Sequence, residues 1–398
     1  MQNPLKNLGP GTLVAAAFIG PGTVTVCSAA GINFGFSLLW AMLLAIAATI
    51  VLQEMAARLG IITQNGLSDV IKKNIQSKNL RVAVLFITLL AIVMGNAAYE
   101  GGNIGGASLG LEAMLGQPAW GYYPLIVGFI TFCLLYLGSY KVLERSLIAL
   151  VILMSLSFLM AAIITKPDMA ALFAGIFAPT MPQGSLLTVI GLIGTTVVPY
   201  NLFLHASLVK ERWKDANGLK SARIDTFVSI SLGGLVSMAI IVAAASANSG
   251  SLANVLELAK TLEPVYGSLA RYFLGVGIFA AGITSAITAP LAAAYVANGC
   301  FGWQAGLKDW RFRLVWMLIV FLGVFLLTLD IKPIEVIQLA QIANGLLLPL
   351  ISVLLLWMVN KAEVMGTFKN NLFQNVLAGL IIIITIFLGL RSIIKVFE

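Results

Sequence analysis

Residues 9–23 read GPGTLVAAAFIGPGT, the tetrapeptide GPGT written twice around an apolar run. The first copy can open a helix. The second, Gly20–Pro21–Gly22–Thr23, falls in the middle of a hydrophobic segment that continues to Gly31. Proline removes a backbone donor there, and two glycines lower the cost of leaving helical geometry. Such a stretch is either a structural proline kink or a break whose bare backbone serves a site. In lipid the second is tolerated only where the freed groups are buried in protein or line a watery cavity.

The surrounding composition is that of a membrane protein. The chain has 398 residues, 60% of them hydrophobic and 10% charged, with mean hydropathy +0.98, leaving too little polar surface to cover a water-soluble globule of this size. Segments near 10–32, 36–58, 82–110, 121–138, 144–165, 186–208, 224–246, 268–296, 312–329, 335–359 and 372–391 are apolar enough to be read as eleven spans. The expectation is one all-α polytopic unit over 1–398. Lys6 is followed by a full span rather than by the short core of a signal peptide. Cys27, Cys133 and Cys300 share no spacing that suggests a disulfide framework or a zinc site.

Charge sets the expected orientation. With the N-terminus inside, most of the 24 Lys and Arg fall in inner segments, leaving Lys166, Lys260, Arg271, Lys332, Arg391 and Lys395 outside. A cytoplasmic N-terminus and a bacterial inner (cell) membrane follow as expectations. The net charge of +8 reads as this topological bias and an attraction to anionic lipid, not as a nucleic-acid footprint.

A second interruption gives the first its meaning. Span 6 reads GLIGTTVVPYNLFLHASLVKERW, placing Thr195, Thr196, Val198, Pro199, Tyr200, Asn201 and His205 inside an apolar stretch. The second break comes five spans after the first, the spacing expected of two five-helix halves with inverted topology, each opening on a broken helix. The expected repeats are 9–165 and 186–359, with 372–391 as an extra helix. In that arrangement the unwound points face each other near the midplane and bind a solute with few charged side chains.

Ionisable residues inside the membrane are costly and usually functional. Glu100 lies within span 3, in MGNAAYEGGNIGGASLG, where Asn96, Glu100 and Asn103 share a helical face among small residues. The alternative is that Glu100 sits at the outer end and is merely solvated. Glu54 has Arg58 at i+4, an ordinary helix ion pair. His205, the single histidine, can carry protons or simply bond to a neighbouring helix. Glu54 and His205 are therefore candidates for a proton route or for structure.

These residues carry a resemblance. GPGTLVAAAFIGPGTVTVCSAAG, followed by LLWAMLLAIAATIVLQEMAARLGIIT, then GLIGTTVVPYNLFLHASLV and GIFAAGITSAITAPLAAA, resemble the NRAMP family of divalent-metal transporters over roughly residues 9–390. The resemblance implies a LeuT-type fold of two inverted five-helix repeats plus one extra helix. It also shows departures. The family's DPGN is here Gly20 to Thr23, its MPH is Val198 to Tyr200, and an acidic pair in segment 3 becomes Ala97 and Glu100. The soft, dehydrated, proton-coupled site of the family is thereby altered, and the chain looks most like the NRAMP-related magnesium transporters.

The expected function is transport of a divalent cation, hydrated Mg2+ and also Mn2+, by alternating access with little or no proton coupling. Glu100, Gly20, Thr23 and Thr195 would contact the ion or its water shell, with Asn96, Asn103, Thr196, Val198 and Tyr200 completing the site. Glycine at 20 would leave that site wide. One carboxylate is thin compensation for a dication, so a transporter of an amino acid or osmolyte on the same fold is the alternative. A sensor that has lost transport is a third reading, disfavoured by two intact breaks. Neither a catalytic set nor a cofactor is expected.

Overall fold

The computed structural model describes residues 9–117, 121–246, 269–329 and 333–397. Its helices are α1 (Pro10–Phe18), α2 (Pro21–Phe34), α3 (Leu39–Thr63), α4 (Leu67–Asn74), α5 (Lys78–Leu115), α6 (Tyr123–Tyr136), α7 (Tyr140–Ile164) and α8 (Met169–Phe177). They continue as α9 (Leu186–Thr196), α10 (Pro199–Arg212), α11 (Leu219–Ala245), α12 (Ala270–Phe301), α13 (Trp310–Leu326), α14 (Pro333–Asn360), α15 (Ala362–Met365) and α16 (Leu372–Phe397). Each expected span coincides with a helix or a pair of helices. Among the described residues, seven helices are long and apolar enough to cross a membrane, or nine when two bent pairs count as one span each. Tyr123–Tyr136 and Leu372–Phe387 are apolar but shorter. The first is held to 14 residues by turns at Gly121 (φ 59°) and Gly138 (φ 56°), a left-handed conformation that glycine adopts without strain. Of the charges that set the expected orientation, Lys6, Lys260 and Lys332 lie outside the described residues.

Both interruptions are built alike. Pro21 and Pro199 stand in the first turn of α2 and α10, where the missing N–H costs nothing. The residues before them, Gly20 (φ −94°, ψ −179°) and Val198 (φ −93°, ψ 124°), are extended. Each break is thus one helix ending and another beginning, not a kink within one helix. The two differ in angle. α1 and α2 bend by 56°, whereas Leu186–Arg212 runs on as one span with Val197 and Val198 unwound.

The centre of the bundle is the contact of α5 with α12. It is close because it is built from small residues. A side chain on Gly110 would place its Cβ 2.6 Å from the Phe279 nitrogen, and one on Gly282 would place it 2.5 Å from Ala107 Cβ. Val82, Phe86, Leu90 and Met94, spaced by four along the first half of α5, are exposed and form its lipid face. At 38 residues and ~1.5 Å per residue, α5 is about 57 Å long and overshoots the hydrocarbon core. α2 and α3 pack on α11, and α10 on α3, surrounding the first break with protein.

Candidate substrate site at the broken helices

The end of α1 leaves carbonyls without intrahelical partners, and three hydroxyls from three elements satisfy them. Thr23 Oγ1 donates to the Phe18 carbonyl across the break. Tyr200 Oη from α10 donates to the Ala17 carbonyl at 3.2 Å, and Ser285 Oγ from α12 donates to the same oxygen at 3.3 Å. Hydroxyls that give their hydrogens to Ala17 and Phe18 turn their lone pairs elsewhere, so the break presents oxygen acceptors beside the negative end of a helix dipole. That arrangement suits a cation or the water around one.

Gly20 faces this group directly. A Cβ on it would lie 2.6 Å from Ser285 Oγ and 3.6 Å from Asn103 Oδ1. The expectation that glycine leaves the site wide is therefore corrected for this conformation: Ser285 occupies the space that a side chain at 20 would take. Gly106 performs a similar service one turn beyond Asn103, where a side chain would collide with Pro21. Thr23, Asn103, Thr195, Tyr200 and Ser285 are all buried.

Glu100 is fully buried, at 0% exposure, and neither carboxylate oxygen has a hydrogen-bond partner. The alternative of a solvated outer-end carboxylate does not hold in the structure. Its stem lies against Gly323 of α13, where a Cβ would be 2.5 Å from Glu100 Cγ. Asn103 Nδ2 also lacks a partner. Tyr99 meets the Tyr200 ring edge-on at 6.0 Å, fastening this part of α5 to α10.

Other expected residues are turned to different work. Asn96 shares the face of Glu100 but donates to the Ala289 carbonyl at 2.7 Å, tying α5 to α12 beside Pro290. Thr196 donates to the Leu192 carbonyl at 2.8 Å and lies 3.7 Å from Met42 Sδ of α3. In this structure both side chains are thus engaged with neighbouring protein groups. Thr195 donates to the Leu192 carbonyl at 3.2 Å, leaving its oxygen free to accept. Val198 contributes an extended backbone whose carbonyl accepts from the Asn201 N–H at 3.1 Å.

His205 Nδ1 is 3.0 Å from Gln53 Oε1 of α3, while its Nε2 has no partner, nor does the side chain of Asn201 one turn earlier. Glu54 pairs with Arg58 at 3.1 Å and with Arg223 of α11 at 2.8 Å. Arg58 donates onward to the Phe368 carbonyl and Asn370. That makes Glu54 a tie between helices, away from the breaks. Ser285 is the site residue that sequence reasoning passed over. Its signal was the run Thr284, Ser285, Thr288 in GITSAITAP, hydroxyls on an otherwise apolar helix. Among the described residues no three of His, Cys, Asp and Glu gather as metal ligands.

Similarity to known proteins agrees with this geometry. The divalent metal cation transporter MntH of Verminephrobacter eiseniae is 30% identical over 385 residues, covering 94% of this chain and 85% of that one. A manganese transporter from Eremococcus coleocola superposes with a TM-score of 0.85 at 22% identity, covering 98% and 86%. MhsT, solved in complex with L-phenylalanine, superposes with a TM-score of 0.66 at 16% identity over 95% and 98%. The last two show the fold, which is the expected LeuT-type one, with helices 1 and 6 broken. A family profile described as "Natural resistance-associated macrophage protein-like" matches residues 11–395. Matched almost from end to end and built around two broken helices, the chain belongs to the Nramp family of integral membrane proteins.

Proposed function

We propose that this protein moves a divalent cation across the membrane by alternating access, with hydrated Mg2+ as its main substrate and Mn2+ also accepted. The observation that carries the reading is Glu100: a carboxylate at 0% exposure with neither oxygen hydrogen-bonded, one helical turn before Asn103, whose amide oxygen faces Gly20 at the first break. A buried carboxylate without a partner is expensive, and a dication removes that cost. Glu100, the Gly20 backbone, Thr23 and Thr195 are the proposed contacts to the ion or its waters, and Ser285 joins them.

The substrate preference follows from what replaces soft ligands. Val198 offers no thioether at the second break, so discrimination toward transition ions falls. Mg2+ keeps several waters and is held by one or two carboxylates, which a single carboxylate with surrounding hydroxyls and amides can provide. Entry of a hydrated ion requires Ser285 to part from Gly20, a movement the break at 19–20 permits. The relatives described as divalent metal cation transporters favour an ion over an organic solute.

The N-terminus is assigned to the cytoplasm of a bacterial inner membrane from the distribution of Lys and Arg. The repeats are assigned to 9–165 and 186–359, with 372–391 outside them. With Ala97 beside a lone Glu100, transport runs with little or no proton movement, and a negative-inside potential supplies ~2.3 kcal/mol per charge per 100 mV. The test is Mg2+-indicator fluorescence in proteoliposomes at negative-inside potential, with an internal pH dye. Saturable influx without acidification, lost in Glu100→Gln, is expected. Near-normal influx in Glu100→Gln would remove the site assignment.

A further inference from the structure

A cavity of about 1170 Å³ opens at the end of the molecule that holds the start of α1. Five basic side chains from four parts of the chain converge on it: Lys72 and Lys73 of α4, Arg81 of α5, Lys210 of α10, and Lys308 between α12 and α13. Asp69 and Glu211 are the acidic residues of its wall. Asp69 is already engaged, accepting from the Gly66 N–H at 3.2 Å as α4 begins. None of the five basic groups forms an ion pair among the described residues. The hydroxyl of Tyr140, in the same wall, is buried and lacks a hydrogen-bond partner.

Topological bias explains why Lys and Arg lie on one side of a membrane protein. It does not explain their convergence on one concavity. Like charges confined in a cleft raise its potential and concentrate counter-ions, and lysines meet phosphate oxygens well as point charges. We propose that this cavity binds a phosphate-bearing polyanion, either a soluble polyphosphate or the headgroup of an anionic lipid. Its size accommodates more than one phosphate. On the transport reading above, an empty basic vestibule opposes a dication leaving through it, and a bound polyanion removes that barrier. Anion binding itself is independent of that reading.

The test therefore measures binding, without divalent ions. Protein in phosphatidylcholine nanodiscs is titrated with inorganic pyrophosphate by calorimetry. The wild type should show saturable heat, and Lys72→Gln/Lys308→Gln should weaken binding about tenfold or more, since charge-assisted contacts are lost. Lys220→Gln, an exposed charge outside the cavity, should leave binding unchanged. If the double variant melts lower than the wild type, Lys73→Gln/Lys210→Gln replaces it. Repetition in phosphatidylglycerol nanodiscs identifies the source. Loss of pyrophosphate heat there means that the headgroup fills the site, and retention means that a soluble anion does. Absence of saturable heat in phosphatidylcholine, or equal weakening by Lys220→Gln, overturns the proposal.

Discussion

Replacing Asp225 by Asn should loosen the first half of the broken span. Asp225 lies on α11, is 1% exposed, and accepts from the N–H groups of Gly9 (2.8 Å) and Gly11 (2.7 Å) at the start of α1. Ser229 adds a third contact at 3.3 Å and itself meets Thr12 at 3.1 Å. The carboxylate thus caps α1 from a different helix. Asn keeps one acceptor oxygen but turns an NH2 group toward an N–H donor, so one of the two backbone bonds is lost. A hydrogen bond to a charged group contributes about 1.5–3 kcal/mol, and the charge at a helix N-terminus about 0.3–1 kcal/mol more. The combined loss is about 1.8–4 kcal/mol, which raises the equilibrium for local opening roughly 20- to 900-fold. Amide hydrogen exchange of the 11–18 peptide should accelerate by that factor in Asp225→Asn, while peptides of α6, which packs on α5 and α13, keep their rates. Unchanged exchange in 11–18 would refute the idea that this cap holds α1 in place.

Two other substitutions probe the packing of the site and its supports. Gly20→Ala should lower stability by about 1–3 kcal/mol through overpacking against Ser285. Adding Ser285→Ala should recover most of that loss in thermal unfolding, and a double variant no more stable than Gly20→Ala would show that the collision lies elsewhere. Glu54→Gln should cost about 3 kcal/mol because it leaves the charge of Arg58, which is 1% exposed, without its carboxylate, whereas Arg223→Ala, at a half-exposed partner, should cost less than about 1 kcal/mol. Equal losses of melting temperature in these two variants would show that Arg58 does not depend on Glu54.

Much of this protein is legible in the chain because a membrane removes alternatives. Hydrocarbon forbids unpaired backbone, so apolar length alone declares the helices, and a proline flanked by glycine or an extended residue declares where one helix stops and another starts. Glu100 stood out for the same reason: charge is rare there. What the chain could not declare is which neighbour each polar group finds. Asn96 and Asn103 lie on one face of α5, yet one bonds to Ala289 and the other approaches Gly20. That difference is set by the position of α12, which arrives from far along the sequence. Ser285, Gln53 and Asp225 were silent for the same reason, as each acts on a residue more than 150 positions away. The five basic residues of the vestibule are scattered as a topological signal in the sequence and become one concave surface only when α4, α5, α10 and the segment after α12 are packed together. The sequence by itself determines the helices and their breaks, because the backbone's demand for hydrogen bonds is local. The tertiary structure alone decides the partners, because they come from helices that only packing brings side by side.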